Sequence, residues 1–303
     1  MTAASMKEIL LADGPLTGGR LIEKTGMEAL PLWKNCMLDP DIRQERVGRR
    51  FMRLDRSVDG YARLSPSIRR EFLTYTVIGL KSQAAGIEAL ARKRREEIHA
   101  ISRAKHELAG ETMESLTRSL DVWDGISGRV CFIIAGDIAY NMAHDVPRPE
   151  VSTGRMVSGS DLDIVAVAED SVGESDLKAL DNAILRKKIF LLTNPNYREE
   201  IDYLVKNISR VREQLEFDSF QHMIASKILY EGKFLYGSPA VFEKIKGMIE
   251  ASGVPGKLAR LEEQAVKNRF MAEEQLLNPD PHTVFNEALL NLFHTREEGD
   301  EIY

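Results

Sequence analysis

The chain has 303 residues, 43% of them hydrophobic, and a formal net charge of −6. That length supports one large domain or two modest ones with a real core. The apolar runs, such as Val130 to Ala135, are too short to span a bilayer, and the amino terminus lacks a basic-then-apolar signal pattern, so a cytoplasmic protein that does not enter membranes is expected. Two cysteines, Cys36 and Cys131, are too few and too far apart for a disulfide framework or a zinc knuckle.

Charge is unevenly spread. Residues 1–110 carry 20 Lys+Arg against 14 Asp+Glu, and residues 111–303 carry 21 against 33. An acidic body argues against broad coating of nucleic acid. The arginines of Arg43 to Arg56 read first as a solvated helix face with local ion pairs; the alternative is contact with a phosphate backbone, through Arg49, Arg50 and Arg53.

Residues 1–64 mix short apolar groups with Gly and Pro, which predicts short helices and turns. From Ser65, an expected N-cap with Pro66 in the first turn, apolar residues recur at Ile68, Phe72, Tyr75, Ile78, Ile87, Leu90, Ile98, Ile101 and Leu108. The spacing predicts a long helix, broken near Gly86, ending about Gly110 and continued by "ETMESLTRSL" to about Leu120. Its apolar side can pack within the chain or pair with a second subunit, so a homo-oligomer through long helices is a candidate assembly. "DVWDGISG" reads as a turn.

The texture then changes. Arg129 to Ala135, a short run rich in β-branched and aromatic residues, predicts a buried strand. Gly136 breaks it, and "DIAYNMAHD" reads as a helix starting at that break. A loop with Pro147, Pro149, Gly154 and Gly159 leads to a second strand, Asp161 to Ala168. Helix follows from Glu174 to Ser175 onward, and Glu199 to Lys206 alternates with the period of a third strand. From Val211 the pattern is mainly helical, with a break at Asn278 to Pro281 and an acidic, frayed end "REEGDEIY". The expected organisation is a helical region 1–120, a core 121–240 and a C-terminal helical region 241–303.

Side chains two apart on a strand share a face, so Asp161 and Asp163 present their carboxylates together. Asp202 reaches the same spot if its strand is a neighbour, since paired strands lie about 5 Å apart. Three carboxylates so close stay ionised around divalent metal, most simply a pair of magnesium ions serving in-line displacement at phosphorus. In that scheme Asp161 and Asp163 bridge both ions and Asp202 serves the nucleophile, while nucleotide phosphates lie against the helix start after Gly136. A calcium loop is disfavoured because "IVAVA" follows the pair. The six histidines form no close pair, and no Gly-rich loop ends in Gly-Lys-Ser/Thr.

The series "FIIAGD", "IAYNMAH", "SGSDLDIVAV" and "EEIDYLV" resembles the nucleotidyltransferase superfamily of the polymerase β type, over roughly residues 125–245. The resemblance implies an α+β fold with a small mixed sheet flanked by helical regions. It also implies transfer of a nucleoside monophosphate from a nucleoside triphosphate to a hydroxyl of RNA, protein or a small molecule, with release of pyrophosphate. The expected site is Asp161, Asp163 and Asp202 for metal and catalysis, with Gly136, Asp137, Ser158, Ser160 and Lys227 toward the nucleotide. Ser152, Thr153 and Arg155 are further donors in the long loop, and Lys227 reads equally well as an exposed lysine of an amphipathic helix. Asp137 stands where the family usually has Gly or Ser and places an anion near the phosphates. The alternative function is therefore a catalytically silent module of the same fold, acting in assembly or partner binding. Nucleotide-sugar glycosyltransferases fit less well, since their Asp-x-Asp closes an apolar strand whereas here it precedes one.

Overall fold

The computed structural model describes residues 5–278 and 287–295. The break expected around residues 279–281 and the acidic end at 296–303 lie outside the described residues. Contacts divide the chain into two units, residues 1–98 with 261–303 and residues 99–260. Of the C-terminal region expected at 241–303, residues 261–303 thus group with the N-terminal region and residues 241–260 with the core, so the three consecutive regions become two units.

The first unit contains α1 (Met6–Asp13), β1 (Leu16–Thr17), α2 (Gly18–Thr25), α3 (Ala29–Leu38), β2 (Ile42–Arg46), β3 (Phe51–Leu54), β4 (Ala62–Ser65), α4 (Ile68–Thr74) and β5 (Thr76–Leu80). β5 is the centre of an antiparallel sheet in the order β1-β5-β2, and β3 pairs with β4 as a hairpin. The helix expected across residues 65–110 is interrupted here. Ser65 is a strand residue paired with Phe51, so Ser67 caps α4 instead, accepting from the Arg70 backbone N–H at 3.1 Å. Thr76, Val77 and Ile78 are β-branched, and β5 is buried along its whole length, so tertiary burial outweighs the helical spacing. Gly79 leaves the room that Ile87 fills: an added Cβ would come within 2.8 Å of that side chain. The arginine-rich stretch is strand and hairpin rather than helix. Its local ion pairs are present, with Arg50 gripping Glu71 through two 2.6 Å bonds and reaching Glu273 at 2.9 Å. Leu10, Leu21, Leu32, Phe72 and Ile78 form the centre of this unit's core.

Helix α5 (Ala84–Arg118) begins in the first unit and ends in the second. The second unit continues with α6 (Trp123–Ile126), β6 (Val130–Ile134), α7 (Gly136–Ala139), β7 (Pro147–Pro149), β8 (Met156–Ser158), β9 (Leu162–Ala168), α8 (Glu174–Thr193), β10 (Ile201–Asn207), α9 (Ile208–Gln214), α10 (Phe220–Glu231), β11 (Lys233–Gly237) and α11 (Pro239–Ala251). Helix α12 (Val254–Leu277) leads back into the first unit, followed by α13 (Glu287–Phe293).

Four strands form the second unit's sheet in the order β10-β9-β6-β11. β9 and β10 are parallel, and the other neighbours are antiparallel, which gives the small mixed sheet expected of an α+β protein. β11 was not foreseen; it closes the edge beside β6. Pleat alternation sends Leu162, Ile164, Ala166 and Ala168 into one core with Phe132, Ile134, Met113 of α5 and Leu180 and Ile184 of α8. The other face carries Asp163, Val165 and Val167; α9 contacts β10 and α11 contacts β6. Among the described residues no helix is long and apolar enough to cross a membrane.

Candidate functional site

The site is built where β6 ends and β9 and β10 begin. Ile134 pairs with Ile164, and the Ala135 N–H donates to the Asp163 carbonyl at 3.0 Å. Gly136 then turns the chain with φ +62°, in the left-handed region that favours glycine. A Cβ at this position would overlap Asp163 Oδ2 and crowd its Cγ at 3.0 Å. The glycine is thus required by its own torsion and by the carboxylate lying against it.

The helix expected over residues 137–145 is a single turn, Gly136–Ala139. Beyond it the Asn141 and Met142 N–H groups still donate to carbonyls of the turn, and then Ala143 N–H donates to Ser102 Oγ at 3.0 Å and His144 N–H to Ser160 Oγ at 3.2 Å. One turn accumulates little dipole, so the expected cradling of phosphates by a helix start loses its physical basis here.

Asp163 and Asp202 are register partners on parallel strands, and their side chains therefore share one face about 5 Å apart in the strand-to-strand direction. Asp202 is exposed and Asp163 partly buried. Asp161 lies just before β9 and is ion-paired with Arg148. The buried Oδ1 is the atom that meets the Arg148 guanidinium.

Arg148, on β7, ties this corner together. Its Nε donates to the Gly159 carbonyl at 3.1 Å and its terminal nitrogen to Glu200 Oε2 at 2.9 Å. Beside it Lys105 Nζ donates to the Ser158 carbonyl at 2.7 Å and to Glu199 at 2.5 Å. Burial raises the Glu199 carboxyl above its ordinary value against the pull of Lys105, and burial lowers the Lys105 ammonium against the pull of Glu199.

The residues expected to face a nucleotide are mostly committed to one another. Ser160 Oγ donates to Asp137 Oδ2 at 2.9 Å, which anchors the anion in the turn. Ser158 is held through its backbone, its N–H on the Arg198 carbonyl at 3.0 Å and its carbonyl on Lys105. Lys227 is buried, against the reading of an exposed lysine; it is ion-paired with Glu231, and the Tyr140 hydroxyl donates to the same carboxylate at 2.6 Å. Ser152 and Thr153 donate to Glu150 through both backbone and hydroxyl, which closes the tip between β7 and β8.

Asp163 and Asp202 on neighbouring strands, with Asp161 just before β9, are oxygen donors of the kind a hard cation such as magnesium takes. The side chains are not closed around one. Among the described residues no group of three or more His, Cys, Asp and Glu side chains stands close enough to hold a metal ion. Asp161 is ion-paired with Arg148 instead.

No family model, no curated protein and no solved structure matches the chain. The resemblance to nucleotidyltransferases therefore stands on the Asp-x-Asp strand and its neighbours alone.

Arg148, Glu200, Lys105, Glu199 and Glu231 were not singled out in the sequence. A loop arginine carries no periodicity, and Lys105 sits within a helix rich in charges. The one available signal was "REEID", two glutamates immediately before a strand that carries the third aspartate.

Proposed function

We propose that residues 99–260 form a magnesium-dependent nucleotidyltransferase, which moves a nucleoside monophosphate from a nucleoside triphosphate to a hydroxyl acceptor and releases pyrophosphate. The observation that supports this reading is the register match of Asp163 and Asp202 on parallel strands beside the Gly136 turn. Asp161, Asp163 and Asp202 would hold the cations. Bound magnesium supplies a lowered hydroxyl pKa and neutralises charge on the phosphates. The acceptor oxygen bonds to the α-phosphorus, the bond from that phosphorus to the bridging oxygen breaks, and pyrophosphate departs. Asp202, exposed at the sheet edge, takes the hydroxyl proton and passes it to solvent. Asp163, backed by Gly136, keeps a fixed position while this happens.

The acceptor is a hydroxyl of RNA, of a protein or of a small molecule. Incubation with each of the four nucleoside triphosphates and magnesium, followed by mass spectrometry of protein and added RNA, should reveal a nucleoside monophosphate adduct. Asp163→Asn should abolish it while leaving the circular dichroism spectrum unchanged; an adduct that survives this change overturns the proposal.

Two observations favour a second reading, a catalytically silent module of the same fold: Arg148 lies on Asp161, and Asp137 puts a further anion in the turn. Calorimetric titration with triphosphate and magnesium separates the two, because the silent module gives no binding heat.

A further inference from the structure

We propose that two copies of the chain pair through the open edge of β10, antiparallel and centred on Leu204, with Asp202 of each copy opposite Lys206 of the other. This goes beyond the transfer reading and does not rest on it; where that reading holds, the paired form withholds Asp202 from the acceptor.

The edge is available for pairing. β10 is the outer strand of its sheet and pairs with β9 on one side. The Leu162 N–H donates to the Glu200 carbonyl at 2.8 Å, and Leu162 is the register partner of Ile201. In a parallel ladder a residue bonds to the two neighbours of its partner, so Glu200, Asp202, Leu204 and Lys206 turn their backbone groups toward β9. Ile201, Tyr203 and Val205 turn theirs outward. A long edge of this kind, with Leu204 53% exposed, is a template for another strand.

The strand "IDYLVKN" complements itself when reversed about Leu204. Tyr203 then opposes the partner's Val205, and since both turn their backbone groups outward, the two residues can exchange both bonds of a hydrogen-bonded pair. Asp202 and the partner's Lys206 form one of the closer pairs, in which side chains meet. A slip of one residue would set outward groups against inward ones. A slip of two would set Asp202 opposite an apolar side chain, Leu204 or Ile208.

The charges want such a partner. Asp202 is exposed and, among the described residues, carries no ion pair. Lys206 is buried, its Nζ donates to the neutral Gln214 Oε1 at 2.8 Å, and the charge acting on it is that of Arg210. Burial lowers its ammonium to about 8 from an ordinary 10.5, with Arg210 adding to the effect. A carboxylate from a second copy supplies the opposite charge that Lys206 lacks.

The flanking helix offers a matching surface. The Tyr203 hydroxyl donates to the Asp181 carbonyl of α8 at 3.4 Å, so this side of α8 lies by Tyr203. Leu185 and Ile189 follow Asp181 at steps of about one turn and are 43% and 52% exposed. Opposed residues of an antiparallel pair project to one face, so α8 and its counterpart flank the twofold axis on that face and turn these side chains toward each other.

Sedimentation velocity of the full chain over about 1–100 µM tests this, with wild type expected to dimerise at a dissociation constant on the order of 10 µM. Leu185→Asp changes an exposed position, and Val205→Pro removes an outward N–H while leaving the ladder to β9 whole. Each should weaken association at least about tenfold with an unchanged circular dichroism spectrum. Asp202→Lys should weaken it likewise. Mixing Asp202→Lys with Lys206→Glu should restore a heterodimer within about threefold of wild-type affinity, because every charge then meets its opposite. A monomer throughout the range overturns the proposal, and so does a dimer that Val205→Pro or Asp202→Lys leaves at wild-type affinity. If Lys206→Glu fails to fold, Leu185→Asp and Val205→Pro still decide the matter. None of these readouts involves turnover or triphosphate binding, so loss of the dimer reading leaves the transfer reading standing.

Discussion

Gly136 shows how one residue without a side chain sets the site. Its φ of +62° and the overlap that a Cβ would make with Asp163 act together. Gly136→Ala should therefore cost at least about 2 kcal/mol in urea unfolding, more than the torsional strain alone. Glu150 is a second residue-scale case. Burial alone would raise its carboxyl, but donors from Ser152 and Thr153 outweigh this and lower it to about 2 from an ordinary 4.5. A carboxyl depressed in the folded state adds stability above its unfolded value, and that stability drains away as the pH falls from 4.5 toward 2. Glu150→Gln should flatten this part of the profile, so that wild-type and variant urea midpoints converge with acidification; parallel profiles would show that Glu150 adds nothing there. The aspartates were legible because three acids next to apolar strands stand out. Arg148 was not, because its role comes from where the ribbon places it rather than from any spacing along the chain.

At the scale of elements, the strands of the second unit were legible where they are short, continuous and apolar, as β6 and β9 are. β10 was legible through its alternation. β5 and β11 were missed for opposite reasons. β5 carries apolar residues at a spacing that also suits a helix, and only its place between β1 and β2 decides the matter. β11 begins immediately after α10, with a single glycine between them, and that glycine fits where a Cβ would strike Ile133. Neither contact can be read along the chain. The central element is β6, flanked by β9 and β11. Phe132 is fully buried in it and meets the rings of Trp123 and Tyr236 at 6.0 and 6.2 Å. Phe132→Ala should cost about 3–5 kcal/mol in chemical denaturation, through lost burial and the cavity left behind. A loss under about 1 kcal/mol would mean that the sheet is not held through this strand.

For the molecule as a whole, composition announced a core of ordinary size and nothing about which segments share it. The grouping of residues 261–303 with residues 1–98 depends on contacts between segments more than 160 positions apart, such as Asn268 Nδ2 donating to the Ala62 carbonyl at 2.8 Å. No local pattern encodes a partner at that distance. The arginine-rich stretch shows the same limit: its charges were visible, but Glu273 as one partner of Arg50 was not.

Residues 99–260 interrupt the other unit along the chain, which has a consequence for biosynthesis. A ribosome delivers residues 99–260 as one uninterrupted stretch, so that sheet can close as soon as α11 emerges. The unit around β5 must wait, half made, for a helix synthesised after its neighbour is already finished.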